Sequence, residues 1–215
     1  MNKKKTIIAL SITLILTVFT CSAFAYTLNP TRPTTINLSF YTNGMNSAQK
    51  TAALNAAYTW TCVNNGISFG SLGDRTGDID FFDWISDVGF ADFTSLPFYL
   101  NIPSTAQGYC YIDQINNYNK FDIVLNTECT WVNYNSSINT YFDMQGVFTH
   151  EFGHAAGLYH NNTIPGGGRP EDTSPVYYQT MYPYVNDFLG NNLTYHWRTL
   201  ESDDISGVRY VYSLI

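Results

Sequence analysis

The pattern of hydrophobic and turn-forming residues predicts a single α+β domain. Three observations carry the prediction: short strand-like segments cluster in the first two thirds of the chain, three separate stretches show helix signals, and neither an internal repeat nor a second-domain boundary interrupts them. Residues 26–34 are rich in Pro and Thr and are expected to be extended. Thr35 to Tyr41 alternates and reads as a strand. Asn46 then caps a helix, with Gln49 three residues on completing a capping box. Ala53, Ala57 and Trp60 repeat at helical spacing, and Gly66 is a stop signal. Ile67 to Phe69 reads as a short strand and Asp78 to Phe82 as another. Residues 83–107 lack a period and hold Gly89, Pro97 and Pro103, which predicts a long loop. Gly108 to Ile112 and Phe121 to Asn126 read as two further strands. Phe142 to Ala156 is helical and Gly157 ends it. A turn-rich stretch centred on Pro165 to Pro170 follows, and residues 171–198 show no strong period. Ser202 caps a last helix running to about Tyr212, with Asp203 and Asp204 in its first turn, where the helix dipole favours negative charge.

The chain opens on Lys3, Lys4 and Lys5, an apolar run from Ile7 to Phe19, and Ala23-Phe24-Ala25. A positive end, a short apolar segment and an A-x-A site make a secretory signal over residues 1–25. The run is shorter than the ~20 residues of a spanning helix, so no membrane span is expected once the signal is removed. The mature chain, 26–215, is long enough for one domain with a proper core. With 45% hydrophobic and 13% charged residues in the 215-residue sequence, disorder is excluded. Ten basic residues face 17 acidic ones, and three of the basic ones sit in the signal. An acidic chain without a basic cluster has no electrostatic footprint for nucleic acid. The expected location is extracellular, or periplasmic in a host with two membranes, and the expected state is a monomer. Export permits disulfides. Cys110 and Cys129 lie on segments read as neighbouring strands and form the preferred pair, which leaves Cys62 as a buried thiol at a helix end.

One segment carries chemistry: His150-Glu151-Phe152-Gly153-His154-Ala155-Ala156-Gly157-Leu158-Tyr159-His160. His150 and His154 are four apart, so on a helix they project from one face, one turn apart. Two imidazoles so placed can hold one zinc ion, and Glu151 can reach a water on that metal. His160 would lie on the wrong side of a continuing helix. Gly157 can adopt the left-handed conformation that ends the helix and brings His160 back as a third ligand. Three neutral nitrogens leave a fourth tetrahedral position for water, the mark of a catalytic rather than a structural site. From the chain's own composition, the five fixed positions match by chance with a probability on the order of 10⁻⁶. The fourth histidine, His196, sits beside Trp197 and is read as structural or exposed.

This motif resembles the extended zinc motif of the metzincin metalloendopeptidases, and Thr180-Met181-Tyr182-Pro183-Tyr184 resembles their methionine turn. Within that group the chain is most similar to the matrixins and their secreted bacterial relatives. Phe142 to Val147 leads into the motif, Met181-Tyr182-Pro183 has the matrixin form of the turn, Leu200 to Val208 is similar to the closing helix, and Phe121 to Asn126 fits a matrixin strand. The resemblance implies a metzincin-like α+β catalytic domain with a twisted mixed β-sheet, three helices, and an active-site helix followed by a Met-turn. It implies an endopeptidase with one catalytic Zn²⁺ on His150, His154 and His160. Glu151 is then the general base that takes a proton from the zinc-activated water, and Met181 an apolar floor that does not bind the metal. The family's second, structural zinc has no histidines left to bind it, and nothing resembles the usual latency propeptide. The segment from His160 to Met181 is also longer than is usual in matrixins. Pro183 stands where a tyrosine ligand of the astacin type would be.

The resemblance also implies that a protein or peptide substrate pairs with an antiparallel edge strand, here Gly108, Tyr109, Cys110 and Tyr111, beside a pocket walled by Tyr182, Pro183 and Tyr184. Asp203 or Asp204 would pair with a new amino terminus at Tyr26, although helix capping accounts for both equally well. Asp74, Asp78, Asp80, Asp83 and Asp87 are candidate Ca²⁺ ligands, but no ordered loop spacing supports them over surface carboxylates. Two other readings compete with the protease: a catalytically silent zinc-binding protein of the same fold that acts as a binder, and an aromatic-rich adhesion module. An intact Glu151 argues against the first, and only composition supports the second.

Overall fold

The computed structural model describes residues 27–28, 33–63, 66–113, 119–133, 141–160, 179–186, 192–213 and 215. The expected signal segment, Tyr26 and the Pro165–Pro170 turn lie outside them. The chain has nine short strands and three helices among the described residues: β1 (Thr27–Leu28), β2 (Asn37–Asn43), α1 (Ser47–Thr61), β3 (Ser68–Arg75), β4 (Asp87–Ala91), β5 (Gly108–Ile112), β6 (Phe121–Asn126), β7 (Trp131–Val132), β8 (Phe142–Asp143), α2 (Met144–Ala155), β9 (Leu158–Tyr159) and α3 (Ser202–Tyr212). Single 3₁₀ turns occupy Phe98–Leu100 and His196–Arg198.

The main sheet has the order β3-β2-β4-β6-β5. The first four pair in parallel, and β5 alone runs antiparallel, at the edge, with Gly108 opposite Leu125 and Cys110 opposite Ile123. α1 is the crossover that parallel β2 and β3 require. Its capping box forms as expected: the Asn46 side chain accepts from the Ala48 and Gln49 N–H groups, and Gln49 accepts from Asn46 N–H at 2.9 Å. Its buried face is Ala52, Ala53, Ala56, Ala57 and Trp60. That small-residue face lets α2 approach, and the Trp60 indole N–H donates to Thr149 O at 2.7 Å.

α2 is fixed to the sheet by Phe152, which packs at ring-centroid distances of 5.3, 4.9 and 6.1 Å from Phe40, Phe69 and Phe121. Each such contact contributes roughly 0.5–1.5 kcal/mol beyond area burial. A motif position with no chemistry of its own thus holds the motif helix on the fold. β8 explains why α2 starts at Met144 rather than at Phe142. Phe142 and Asp143 pair with β7, and the Asp143 carboxylate caps the helix by accepting from Gly146 N–H at 2.8 Å.

Several expectations are corrected. Asp78–Phe82 is not a strand: Asp80 and Asp83 accept the N–H groups of Phe82 and Ile85 at 2.9 and 2.8 Å. These local turns compete with ladder pairing. The strand is β4, inside the stretch expected to be a loop. Its Gly89 is no breaker, since a Cβ there would stand 2.7 Å from Asn43 O, so the glycine permits the close approach of two chains. The Ile67–Phe69 strand extends as β3 to Arg75. The residue before α3 is Glu201, whose N–H donates to Asp204, so Ser202 is the first helical residue rather than the cap. The three described cysteines are free, and Cys62 is exposed rather than buried. Cys110 lies opposite Ile123, while Cys129 follows six residues later, past the end of β6, and the two are not bonded.

Of the aspartates considered for calcium, Asp74 pairs with Lys50 at 2.5 Å, and Asp83 and Asp87 both face Arg75, at 3.7 and 2.9 Å. Another ion pair is fully buried. Lys120 donates to Asp122 and to Phe81 O, and Asp122 accepts Asp87 N–H at 3.0 Å. Burial pushes the Asp122 carboxyl up, and the Lys120 ammonium pulls it partly back. Removing one partner of such a pair strands the other. Lys120→Met is therefore expected to cost about 3–5 kcal/mol in denaturant unfolding. Asp74→Ala, at an exposed pair, should leave the midpoint near that of the parent.

Candidate metal centre

The site is built on α2 and the chain that follows it. His150 and His154 lie one turn apart on that helix. Gly157, at φ +95°, turns the chain out of the helix. β9 then pairs antiparallel with β1, Leu158 opposite Leu28 and Tyr159 opposite Thr27, and delivers His160 as the next residue. The His160 Nε2 stands 3.0 Å from His150 Nε2 and 3.1 Å from His154 Nε2. Among the described residues this is the only group of three or more His, Cys, Asp or Glu ligand atoms gathered within 4.8 Å.

Two hydrogen bonds decide what these nitrogens are. His150 Nδ1 lies 2.6 Å from Thr180 O, and His154 Nδ1 lies 2.8 Å from Leu158 O. A carbonyl only accepts, so both Nδ1 atoms carry the proton, and both neutral rings turn an Nε2 lone pair inward. Burial pushes all three histidines down, His160 to about 3. The rings are therefore neutral near pH 7. Neutral nitrogens converging at this distance repel one another unless a cation lies among them. A tetrahedral zinc with bonds of ~2.0–2.1 Å would space its nitrogens by ~3.3 Å, so the donor set fits that ion in kind and nearly in size.

The triad is braced around His150. The His150 ring stacks on Trp197, 4.7 Å between centroids and 25° between planes. Trp197 belongs to the 3₁₀ turn, whose Arg198 grips the Asp143 cap with both Nε and Nη2, at 2.7–2.9 Å. His196, on the same turn, packs its ring at a tilt against Tyr195 and stands apart from the triad. Thr180, whose carbonyl accepts from His150, is held by α3. Asp204 accepts from Thr180 N–H at 3.1 Å and from Met181 N–H at 3.3 Å. Burial lifts Asp204 to about 6, so it is ionised near neutrality and can hold these donors. Helix capping and the Met-turn thus occupy Asp204; a pairing with Tyr26 lies outside the described residues.

Glu151, one residue after the first ligand, is 5% exposed, and its carboxylate takes no hydrogen bond from the described residues. Burial pushes it up to about 8. It faces the edge strand at Gly108. Of the four β5 residues expected at the substrate groove, Gly108 and Cys110 face α2 and the main core. Tyr109 and Tyr111 turn their side chains to a second apolar cluster with Phe81, Phe93 and Val124. That leaves their backbones, not their rings, at the outer edge of the sheet. Tyr182 is buried against Leu193 and packs edge-to-face on Tyr184 at 5.6 Å, with Pro183 between them.

Met181 is 2% exposed and lies under the helix where Gly153 has no side chain. A Cβ on Gly153 would collide with Met181 Sδ and stand 2.8 Å from Trp60 Cζ2. Sequence reading passed over Gly153, Thr180, Trp197 and the Asp204 contacts. The signal for Gly153 was present: a glycine inside a helix costs ~1 kcal/mol against alanine and needs a packing reason. Gly153→Ala is expected to destabilise by about 1–3 kcal/mol through overpacking and to weaken zinc binding, measured by thermal unfolding and by competition with a chromogenic chelator.

Compared with protein-family models, residues 29–213 match the matrixin family. A search of curated proteins finds no match.

Proposed function

The chain belongs to the matrixin family, a zinc-dependent family of metalloproteases, and from that premise we propose that it is a secreted, monomeric endopeptidase. In this reading His150, His154 and His160 hold one Zn²⁺ and Glu151 is the general base. The observation that carries it is the convergence of three neutral Nε2 atoms, two of them committed by Nδ1–H bonds to backbone carbonyls, beside a carboxylate with no polar partner among the described residues. Zinc bound there supplies Lewis-acid polarisation of the attacking water and of the scissile carbonyl.

The remaining steps fall to the chain itself. Glu151 takes a proton from the attacking water and passes it to the departing amine, which requires a carboxyl that both accepts and releases a proton near neutrality. Its burial raises its proton affinity, and a divalent cation nearby lowers it again. An extended peptide adds as a strand to the outer edge of β5, whose backbone groups give affinity with little sequence selectivity. Tyr182, Pro183 and Tyr184 wall the neighbouring pocket. No helix among the described residues is long and apolar enough to cross a membrane.

Cleavage of casein by the mature chain, stopped by a chelator and restored by zinc, is the expected result. Glu151→Gln should retain zinc and lose roughly 10²–10⁴-fold in rate, the size of general acid–base help. Zinc without cleavage of any of several unstructured substrates would favour the silent binder. Full-rate cleavage by Glu151→Gln would overturn the assignment of the base.

A further inference from the structure

Glycine is an expensive choice at position 108. In a strand it gives up backbone entropy and offers nothing to pack. Its backbone does not demand it, because the positive-φ glycines among the described residues are Gly44, Gly73, Gly77 and Gly157. Substrate pairing does not demand it either, since any residue but proline offers the same N–H and C=O. What requires glycine is space on the α2 side. A Cβ at 108 would stand 2.6 Å from Glu151 Oε1, 3.0 Å from Glu151 Cγ and 3.0 Å from Val147 Cγ1. Val147 and Glu151 are four apart and share one face of α2, and Val147 is itself 1% exposed. The wall they form is set by the helix.

Glu151 has no hydrogen-bond donor among the described residues to aim it, so its side chain is oriented by packing. The surface it packs against is the bare Cα of Gly108. Resting on the reading of Glu151 as general base, we propose that Gly108 is a positioning residue for that base. Its missing side chain lets the carboxylate lie flush beneath the edge strand to which the peptide adds. Base and substrate backbone are thereby referenced to one residue.

In Gly108→Ala the new methyl group must push the carboxylate away by several tenths of an ångström or more. Misplacement on this scale costs up to about 100-fold in rate. The expected result is a fall in kcat of about 10- to 100-fold with KM within about twofold of the parent, and one zinc per chain retained. Glu151→Asp, one methylene shorter, makes room for the methyl. The loss it causes should therefore be smaller in the Gly108→Ala background than in the parent, a coupling that a general structural defect does not produce. Should Gly108→Ala fail to fold, Val147→Ala combined with it relieves the second contact and keeps the one with Glu151. Parental kcat in Gly108→Ala, a change confined to KM, or strictly additive effects with Glu151→Asp would overturn the proposal while Glu151→Gln stays inactive. Full activity of Glu151→Gln would overturn the general-base reading and this inference together.

Discussion

The Nδ1–H bonds from His150 to Thr180 O and from His154 to Leu158 O are the constraint around which the rest of the structure is arranged. They settle the tautomer of two rings and so decide that the inward nitrogens are bases without protons. Both acceptors are backbone atoms of segments that must be placed by something else. Leu158 is placed by the left-handed turn at Gly157 and by pairing with β1, in the same short strand that carries His160 out. Thr180 is placed by Asp204, reaching from the last helix to two consecutive N–H groups of the Met-turn. The third helix is thereby part of the site although none of its residues touches a ligand ring.

Close packing is what makes these bonds short enough to matter. α2 lies between the alanine face of α1, the phenylalanine cluster of the sheet, and Trp197. Gly153 lets Met181 pass beneath the helix, and Gly108 lets β5 pass over it. An interior at crystal-like density leaves little room for the rings to turn. The cost is a set of polar groups out of water, Glu151 and the three histidines among them. Burial displaces the proton equilibria of all four, and neighbouring histidines add to the shift at His150 and His160.

Sequence reading succeeded where spacing alone carries geometry. The four-residue interval of His150 and His154, the glycine stop at Gly157 and the capping box at Asn46 are local rules, and each appears where the residues place it. β5 and β6 begin and end where the sequence places them. Failures came where a residue type has two opposite uses. Gly89 looked like a breaker and is a point of strand contact. Asp80 sits in a strand-like run but spends its side chain on a turn, as Asp83 just after the run does. The contacts of Trp197, Asp204 and Gly108 join residues tens of positions apart, which no local pattern encodes.

The most direct test of the central claim is the metal itself: elemental analysis of the mature protein together with X-ray absorption at the zinc edge. The account predicts one zinc per chain with three imidazole nitrogens and an oxygen, at bond lengths of ~2.0–2.1 Å. Absence of zinc, or a sulfur in the ligand sphere at ~2.3 Å, for which Cys110 on β5 is the nearby source, would contradict it.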